Sequence, residues 1–296
     1  MFRTITYCAT ILLILIVTVQ ADWTVPEQIN KHEYEYGLSA CRDTDTPWGI
    51  AVDYSGNVHF VIETQGESNP PSWVLDIHYR VKFVSGVWSN ELPITTNEPT
   101  LYDPNYQNHT HSFGHPSIIF DSLGRGLIGY LMDQGVVSPL EMRAVDFNFT
   151  NYPEPFGDFH FMSEEGSPYI KSWFGGARKV PVMSMDSNGK IYCFWPYYID
   201  LGGGSGTYNI YFRTYDNGSW SSEGELPPLS EEDYIVSAIN TLADPNGDIH
   251  LAIDMQYDPQ NESREIYHCW YDVLYDEWSE LEIVSEVSEP DGNNSI

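Results

Sequence analysis

"MSMDSNGKIYCFW", residues 183–195, decides the fold. Apolar and polar residues alternate up to Met185 and again from Ile191, so both arms read as half-buried strands. Between them, Asp186-Ser187-Asn188-Gly189 has turn chemistry. An Asp side chain accepts backbone N–H groups a few residues on, and Gly takes the positive φ that closes a hairpin. The same arrangement recurs in "GIAVDYSGNVHFVI", "SIIFDSLGRGLIGYL" and "TLADPNGDIHLAI". The four turn residues Asp53, Asp121, Asp186 and Asp244 lie 68, 65 and 58 residues apart, and Gly56, Gly124, Gly189 and Gly247 each follow three residues later. One Asp-x-x-Gly says little. Four in the same alternating context predict a repeat, and they make Asp186 a turn residue rather than a catalytic acid.

A second landmark is locked to the first. Trp88, Trp220 and Trp278 come 35, 34 and 34 residues after their Asp, each followed by Ser. Just before them, "DIHYRVKF", "NIYFRTYD" and "EIYHCWYD" alternate at period two. Each unit therefore reads as four short strands, with the Asp turn in its first half and a Trp-Ser turn in its second. The second unit keeps the Asp, the Gly and "LEMRAVDF" but has no Trp near 155. Four-stranded units at this spacing, with no helical periodicity, predict an all-β chain, a β-propeller of four four-stranded blades. The blades span about 46–96, 115–162, 180–229 and 236–285 within one domain, 22–296. "DWTVPEQI", from Asp22, imitates a fourth strand without three strands before it. It predicts an orphan N-terminal strand, as in an incomplete five- or six-bladed propeller whose open blade edges invite self-association.

Residues 1–21 read as a secretory signal: Arg3, then the apolar run "CATILLILIVTV", then small-residue "VQA" at the cleavage point. The predicted localisation is extracellular, with no membrane insertion once the signal is removed. Without Arg3 the chain carries 12 basic and 43 acidic residues. Such a surface repels phosphate backbones, which excludes nucleic acid as a partner. Cys41, Cys193 and Cys269 are too few for a disulfide framework, so the fold must stand on its core. Asn108, Asn148, Asn217, Asn261 and Asn293 head glycosylation sequons.

The repeat resembles the secreted sialidase-like propellers, the BNR or Asp-box proteins, which carry Ser/Thr-x-Asp-x-Gly-x-x-Trp between third and fourth strands. "TYDNGSW", Thr214 to Trp220, sits at that turn and is one residue shorter. "VSGVW" and "LYDEW" are more degenerate forms of it. The resemblance covers residues 23–285 as repeat architecture. It implies three arginines gripping a carboxylate, a Tyr–Glu nucleophile pair and an Asp acid. The long loops supply only Arg42 and Arg178 toward that set. Arg80, Arg143 and Arg213 recur inside third strands, where they read as architectural.

Those long loops enter each first strand, as "HEYEYGLSACRDTDTPW", "LYDPNYQNHTHSFGHP" and "SEEGSPYIKSWFGGARK", or join second to third strands, as "TQGESNPPSW" and "PYYIDLGGGSGTY". They gather Tyr, Trp, His and the few cations on one face. Aromatic planes stack on sugar rings, so Arg42, Trp173, Arg178, Lys179, Tyr197 and Tyr198 are the candidate ligand-binding residues. Aromatics that merely plug the funnel are the bland alternative. "HTHSFGHPSIIFDSLGRG" is similar to the His-Pro first strand of propeller polysaccharide lyases. That likeness implies a His or Tyr base, from His111, His115 or Tyr106, beside Arg178 and Lys179. His109, His111 and His115 also have the residue type of zinc ligands, without a helix to organise them, and no metal site is assigned. Asp43 and Asp45 leave calcium as the one cofactor still open. The sequence thus points to a secreted, carbohydrate-associated propeller that binds a glycan or glycoprotein. The alternatives are a glycoside hydrolase or uronate polysaccharide lyase, and a non-catalytic surface interaction protein.

Overall fold

The computed structural model describes residues 49–65, 75–95, 112–133, 141–163, 181–202, 205–226, 235–256 and 264–285. All of them belong to one compact unit, Glu33–Ile296. The orphan strand expected from Asp22 lies outside the described residues. The strands fall into four antiparallel sheets. Blade 1 is β1 (Ile50–Val52), β2 (Val58–Gln65), β3 (Leu75–Lys82) and β4 (Leu92–Pro93); blade 2 is β5 (Ser112–Phe120), β6 (Arg125–Asp133), β7 (Glu141–Asn148) and β8 (Phe156–Phe161). Blade 3 holds β9 (Val182–Met185), β10 (Ile191–Gly202), β11 (Ser205–Asp216), β12 (Ser219–Trp220) and β13 (Gly224–Glu225). Blade 4 holds β14 (Ile235–Ala243), β15 (Ile249–Gln256), β16 (Arg264–Asp272), β17 (Glu277–Trp278) and β18 (Glu282–Ile283). Strands follow one another across each sheet, and the inner strands β1, β5, β9 and β14 are successive neighbours. The fold is a β-propeller. Among the described residues a 3₁₀ turn spans Phe149–Asn151, and there is no α-helix.

The Asp-x-x-Gly turns behave alike in all four blades. The Gly N–H donates to the Asp carbonyl, and the Asp N–H donates to the carbonyl four residues on. The Asp carboxylate then accepts the backbone N–H of that fourth residue: Asn57, Arg125, Lys190 and Asp248, at 2.8, 2.9, 3.0 and 3.0 Å. The four glycines have φ between +75° and +96°, the left-handed region that Gly enters without steric cost.

The Ser after each Trp has an equally definite role. Ser89, Ser221 and Ser279 donate their backbone N–H to the carbonyls of Val81, Thr214 and Trp270 on the third strand. Their hydroxyls accept the N–H of those same residues, at 3.0, 2.9 and 3.0 Å. The hydroxyl stands in for a backbone carbonyl, so the fourth strand can bulge there without orphaning a donor. This explains a difference from the expected single fourth strand. Blades 3 and 4 divide it into β12 and β13, or β17 and β18, and blade 1 splits it into a Trp88–Lys82 bridge and β4. Blade 2, which lacks the Trp, turns through Phe149–Asn151 and pairs Phe147 with Phe156.

Two further differences lie on the loop side. The "SFGHP" end of the second long loop is the start of β5, with a register shift between Gly114 and Ser117. Pro116 has no N–H for the ladder, so the strand slips there instead of ending. "PYYIDLGGGSGTY" is hairpin, not open loop: β10 and β11 stay paired through Tyr197↔Asn209 and Tyr198↔Tyr208 to Gly202↔Ser205. Period-two alternation continues through those residues, and a strand already paired propagates readily.

Packing occurs between blades. One core joins blades 1 and 2 around Tyr79, Ile77, Tyr130 and Phe147. A second joins blades 2 and 3 around Leu127, Met142, Cys193 and Trp195, and a third joins blades 3 and 4 around Tyr192, Phe194, Leu251 and Ile253. Burying each large apolar side chain contributes about 1.5–3 kcal/mol, so these sheet-to-sheet layers hold the fold. Cys193 and Cys269 are free and buried in separate layers. The third-strand arginines are architectural, as expected. Arg80, Arg143 and Arg213 stack over Trp88, Phe161 and Trp220, and the Arg213 guanidinium reaches the carbonyls of Phe161 and Met162 in the preceding blade.

Candidate functional site

The strand directions sort the connections onto two sides. Chain leaving β1 meets the Asp turn and returns along β2, and β3 leads into the Trp-Ser turn. Both described turns of every blade therefore lie on one side, and the far ends of β2, β6 and β15, with the starts of β5, β9 and β14, lie on the other. The second side carries the candidate site. Arg42, Tyr106, His111, Trp173, Arg178 and Lys179 lie outside the described residues, as do His109, Asp43 and Asp45. His115 is in β5 at the register shift, on the loop side of Ser117. Tyr197 and Tyr198 are in β10, which continues well past the last β9 partner, Phe194↔Val182. The β10–β11 hairpin thus carries both tyrosines beyond the sheet on the loop side. Asn209, opposite Tyr197, is buried and donates to the Glu225 carboxylate, which ties the hairpin's base to β13.

Three further clusters carry titratable groups, and none was singled out from the sequence. In the blade 1–2 layer the His59 Nδ1 lies 2.7 Å from the Tyr79 hydroxyl and its Nε2 lies 3.3 Å from Asp53 Oδ2, close enough for an ion pair but without hydrogen-bond alignment. The ring is wholly buried, wedged against Phe120 and Phe149 at centroid distances of 4.7 and 4.6 Å. Burial pushes its pKa down, with Asp53 pulling the other way, so the ring is neutral. An Asp–His–Tyr row of this kind has catalytic residue types, but no substrate reaches a ring sealed among phenylalanines. Its role is to hold two blades.

The blade 2–3 layer has a counterpart. Tyr215 donates to Asp146 at 2.5 Å, and His160 Nε2 lies 3.1 Å from the same carboxylate. Burial alone would raise the Asp146 pKa, but the adjacent His160 ring and the hydrogen bond from Tyr215 outweigh it and leave the carboxyl below the ordinary value. The Tyr215 and Tyr79 phenols are pushed up by burial, so neither supplies a phenolate nucleophile near neutral pH.

The third cluster crosses the outward face of blade 4. His250 Nδ1 lies 2.9 Å from His268 Nε2, and His268 Nδ1 lies 2.9 Å from Glu282. The two imidazoles and the Trp270 ring lie nearly parallel. Among the described residues no group of His, Cys, Asp and Glu is placed to hold a metal ion. The spacing of β15 and β16 sets this stack, and only pairing of the two strands reveals it.

No protein family matches the chain by sequence, and no curated protein does. The sialidase-like resemblance therefore stands as one of repeat architecture. Solved structures with a similar fold are β-propeller glycoside hydrolases. The α-L-arabinofuranosidase of Fusarium graminearum, in complex with an iminosugar inhibitor, is similar over 76% of this chain and 59% of its own, at 11% identity and a TM-score of 0.44. The chain thus spans about three-fifths of that enzyme's length. The α-L-arabinanase of Penicillium chrysogenum, complexed with arabinobiose, is similar over 81% of this chain and 67% of its own, at 11% identity and a TM-score of 0.46. The levansucrase of Bacillus subtilis, in complex with oligosaccharides, is similar over 91% of this chain and 77% of its own, at 12% identity and a TM-score of 0.45. These are likenesses of fold, and no site residue is carried over from them.

Proposed function

We propose that this chain is an exported, carbohydrate-handling propeller whose site is the loop side. The observation that supports this is the paired β10–β11 hairpin, which carries Tyr197 and Tyr198 past the sheet on the side where Arg42, Trp173, Arg178 and Lys179 fall in sequence. Aromatic side chains stack on sugar rings, the paired strand fixes the backbone of both tyrosines, and the cations of the long loops suit an acidic or heavily hydroxylated glycan. Glycan binding on a sialidase-like scaffold is the first form of this reading. Cleavage of the bound glycan is the second, and the enzymes of similar fold described above act on or bind carbohydrate by name. In its lyase form His115 on β5, His111 or Tyr106 is the base that takes the proton beside a uronate carboxylate.

The mature protein on a glycan array tests binding, and incubation with arabinan, levan and uronate polysaccharides, read by new reducing ends and unsaturated products, tests cleavage. Binding lost in Tyr197→Ala and Tyr198→Ala, with the unfolding temperature unchanged, supports the site. Silence on the array together with inert polysaccharides overturns the carbohydrate reading and leaves a surface interaction protein.

A further inference from the structure

Blade 4 repeats a polar row of blade 1 with one change of chemistry. His59 and His250 each stand six residues after their turn Asp. Tyr79 and His268 each stand two residues before Val81 and Trp270, the residues held by the Trp-Ser turn. The row in blade 1 runs Asp53, His59, Tyr79, and in blade 4 it runs Asp244, His250, His268 and on to Glu282. A phenol hydroxyl rotates to donate or to accept, so Tyr79 suits either state of His59. Two imidazoles have no such freedom. His59 is also sealed, whereas His250 and His268 are only half-buried and water reaches both.

The contacts assign the hydrogens of the blade 4 row. The Glu282 carboxylate accepts, so His268 Nδ1, 2.9 Å away, carries a hydrogen. In the neutral ring His268 Nε2 is then a lone pair, and His250 Nδ1, 2.9 Å from it, is the donor. The ring centroids are 5.2 Å apart and the planes differ by 11°, so the rings meet edge to edge, as an N–H···N hydrogen bond requires. His250 Nε2 is left bare, 4.0 Å from the Asp244 carboxylate. The neutral rings thus hold two hydrogens, one of them shared between them. A third fits on His250 Nε2, with a carboxylate at each end of the row. A fourth has no place, because it would set two N–H groups against each other across 2.9 Å.

We propose that Asp244, His250, His268 and Glu282 form an acid-operated switch on blade 4, which stays shut with the first added proton and opens with the second. Glu282 accepts the His268 Nδ1 hydrogen in every state, so His268 stays in place. His250 is the ring that swings into water, away from Trp270, its partner across the β15–β16 ladder. By strand alternation, the other charged residues on this face of the described strands are Asp248 and Asp254 on either side of His250, Asp272 beyond Trp270, and Arg264 at the start of β16. From β14 the pairing residue is apolar Leu242. Carboxylates therefore dominate the surroundings and draw protons in, and the limit of one is set by the contact itself.

Imidazole nitrogen NMR of the folded full chain tests this, with signals assigned through His250→Gln and His268→Gln. Above the imidazole range both rings are expected in the Nδ1–H form, with a coupling across the His250–His268 hydrogen bond. On acidification the first proton should shift both rings together. The second should abolish the coupling while circular dichroism stays native. His268→Tyr, which copies the blade 1 row, should give a single step for His250. An Nε2–H form of either ring above that range overturns the proposal, as do rings that titrate independently of each other. A coupling that survives both protons overturns it too, and so does unfolding of the chain before the second proton binds.

Discussion

Ser89 holds Val81 twice: its backbone N–H donates to the Val81 carbonyl at 2.8 Å, and its hydroxyl accepts the Val81 N–H at 3.0 Å. The same hydroxyl donates onward to the Asn90 carbonyl at 2.6 Å. One side chain therefore satisfies a buried donor and steers the fourth strand through its bulge. Ser221 repeats this with Thr214, and Ser279 with Trp270.

Ser89→Ala should cost about 1–3 kcal/mol, because it leaves the Val81 N–H buried without an acceptor. Ser279→Ala, at a less buried site, should cost less. Urea midpoints of the two variants at unchanged slope check both the size and the order. Equal, negligible losses would show that the bulge does not depend on the hydroxyl.

Two glycines separate conformational cost from collision. A Cβ at Gly189 meets nothing within 4 Å, so Gly189→Ala costs only its left-handed φ of +87°, about 1–2 kcal/mol. A Cβ at Gly126 would lie 1.9 Å from the Ile119 carbonyl oxygen, at the start of the β5–β6 hairpin. Backbone cannot yield that far, so Gly126→Ala should cost more than about 4 kcal/mol and surface as insoluble protein. Thermal melts of the two variants, with soluble yield, make the comparison.

The buried His59 gives the fold a definite acid response. Its folded pKa is lowered, so below the ordinary imidazole value of 6.5 the unfolded chain binds a proton that the folded one refuses. Stability should therefore decline as pH falls through that value. A second decline should follow below 3.8, where Asp53 and Asp146 lose carboxylates held by hydrogen bonds in the folded state. Calorimetry against pH checks this, and His59→Gln should flatten the first decline while leaving the second. An unchanged slope in the variant would assign the first decline elsewhere.

Cys193 and Cys269 should resist thiol reagents in the native protein. Burial raises both thiols, Cys269 to about 12, and neither ring-lined layer admits a reagent. Peptide mapping after alkylation should find both unmodified natively and modified in denaturant. Native labelling of Cys269 would mean that the blade 3–4 layer opens readily.

The turn Asp and Gly residues were legible because their chemistry is local. The carboxylate and the positive φ act within five residues of chain, and the four copies confirm one another. The role of Ser in "WS" was visible only as a recurrence, since its partners Val81, Thr214 and Trp270 lie seven to nine residues upstream across a strand pair. The candidate site was legible as composition. Its tyrosines looked like loop, but ladder pairing with Tyr208 and Asn209 places them on strand, because alternation alone cannot say how far a hairpin continues.

Alternation, turn chemistry and the locked Asp-to-Trp spacing determined, from the sequence alone, that this chain folds into four-stranded units repeated four times. Only the tertiary structure decided which face of each unit meets which neighbour. A strand's period of two distinguishes its two sides but does not label them. His59 and His250 hold equivalent positions in the repeat, one sealed against Phe120 and the other beside exposed Leu242, because burial belongs to the neighbouring sheet and not to the residue.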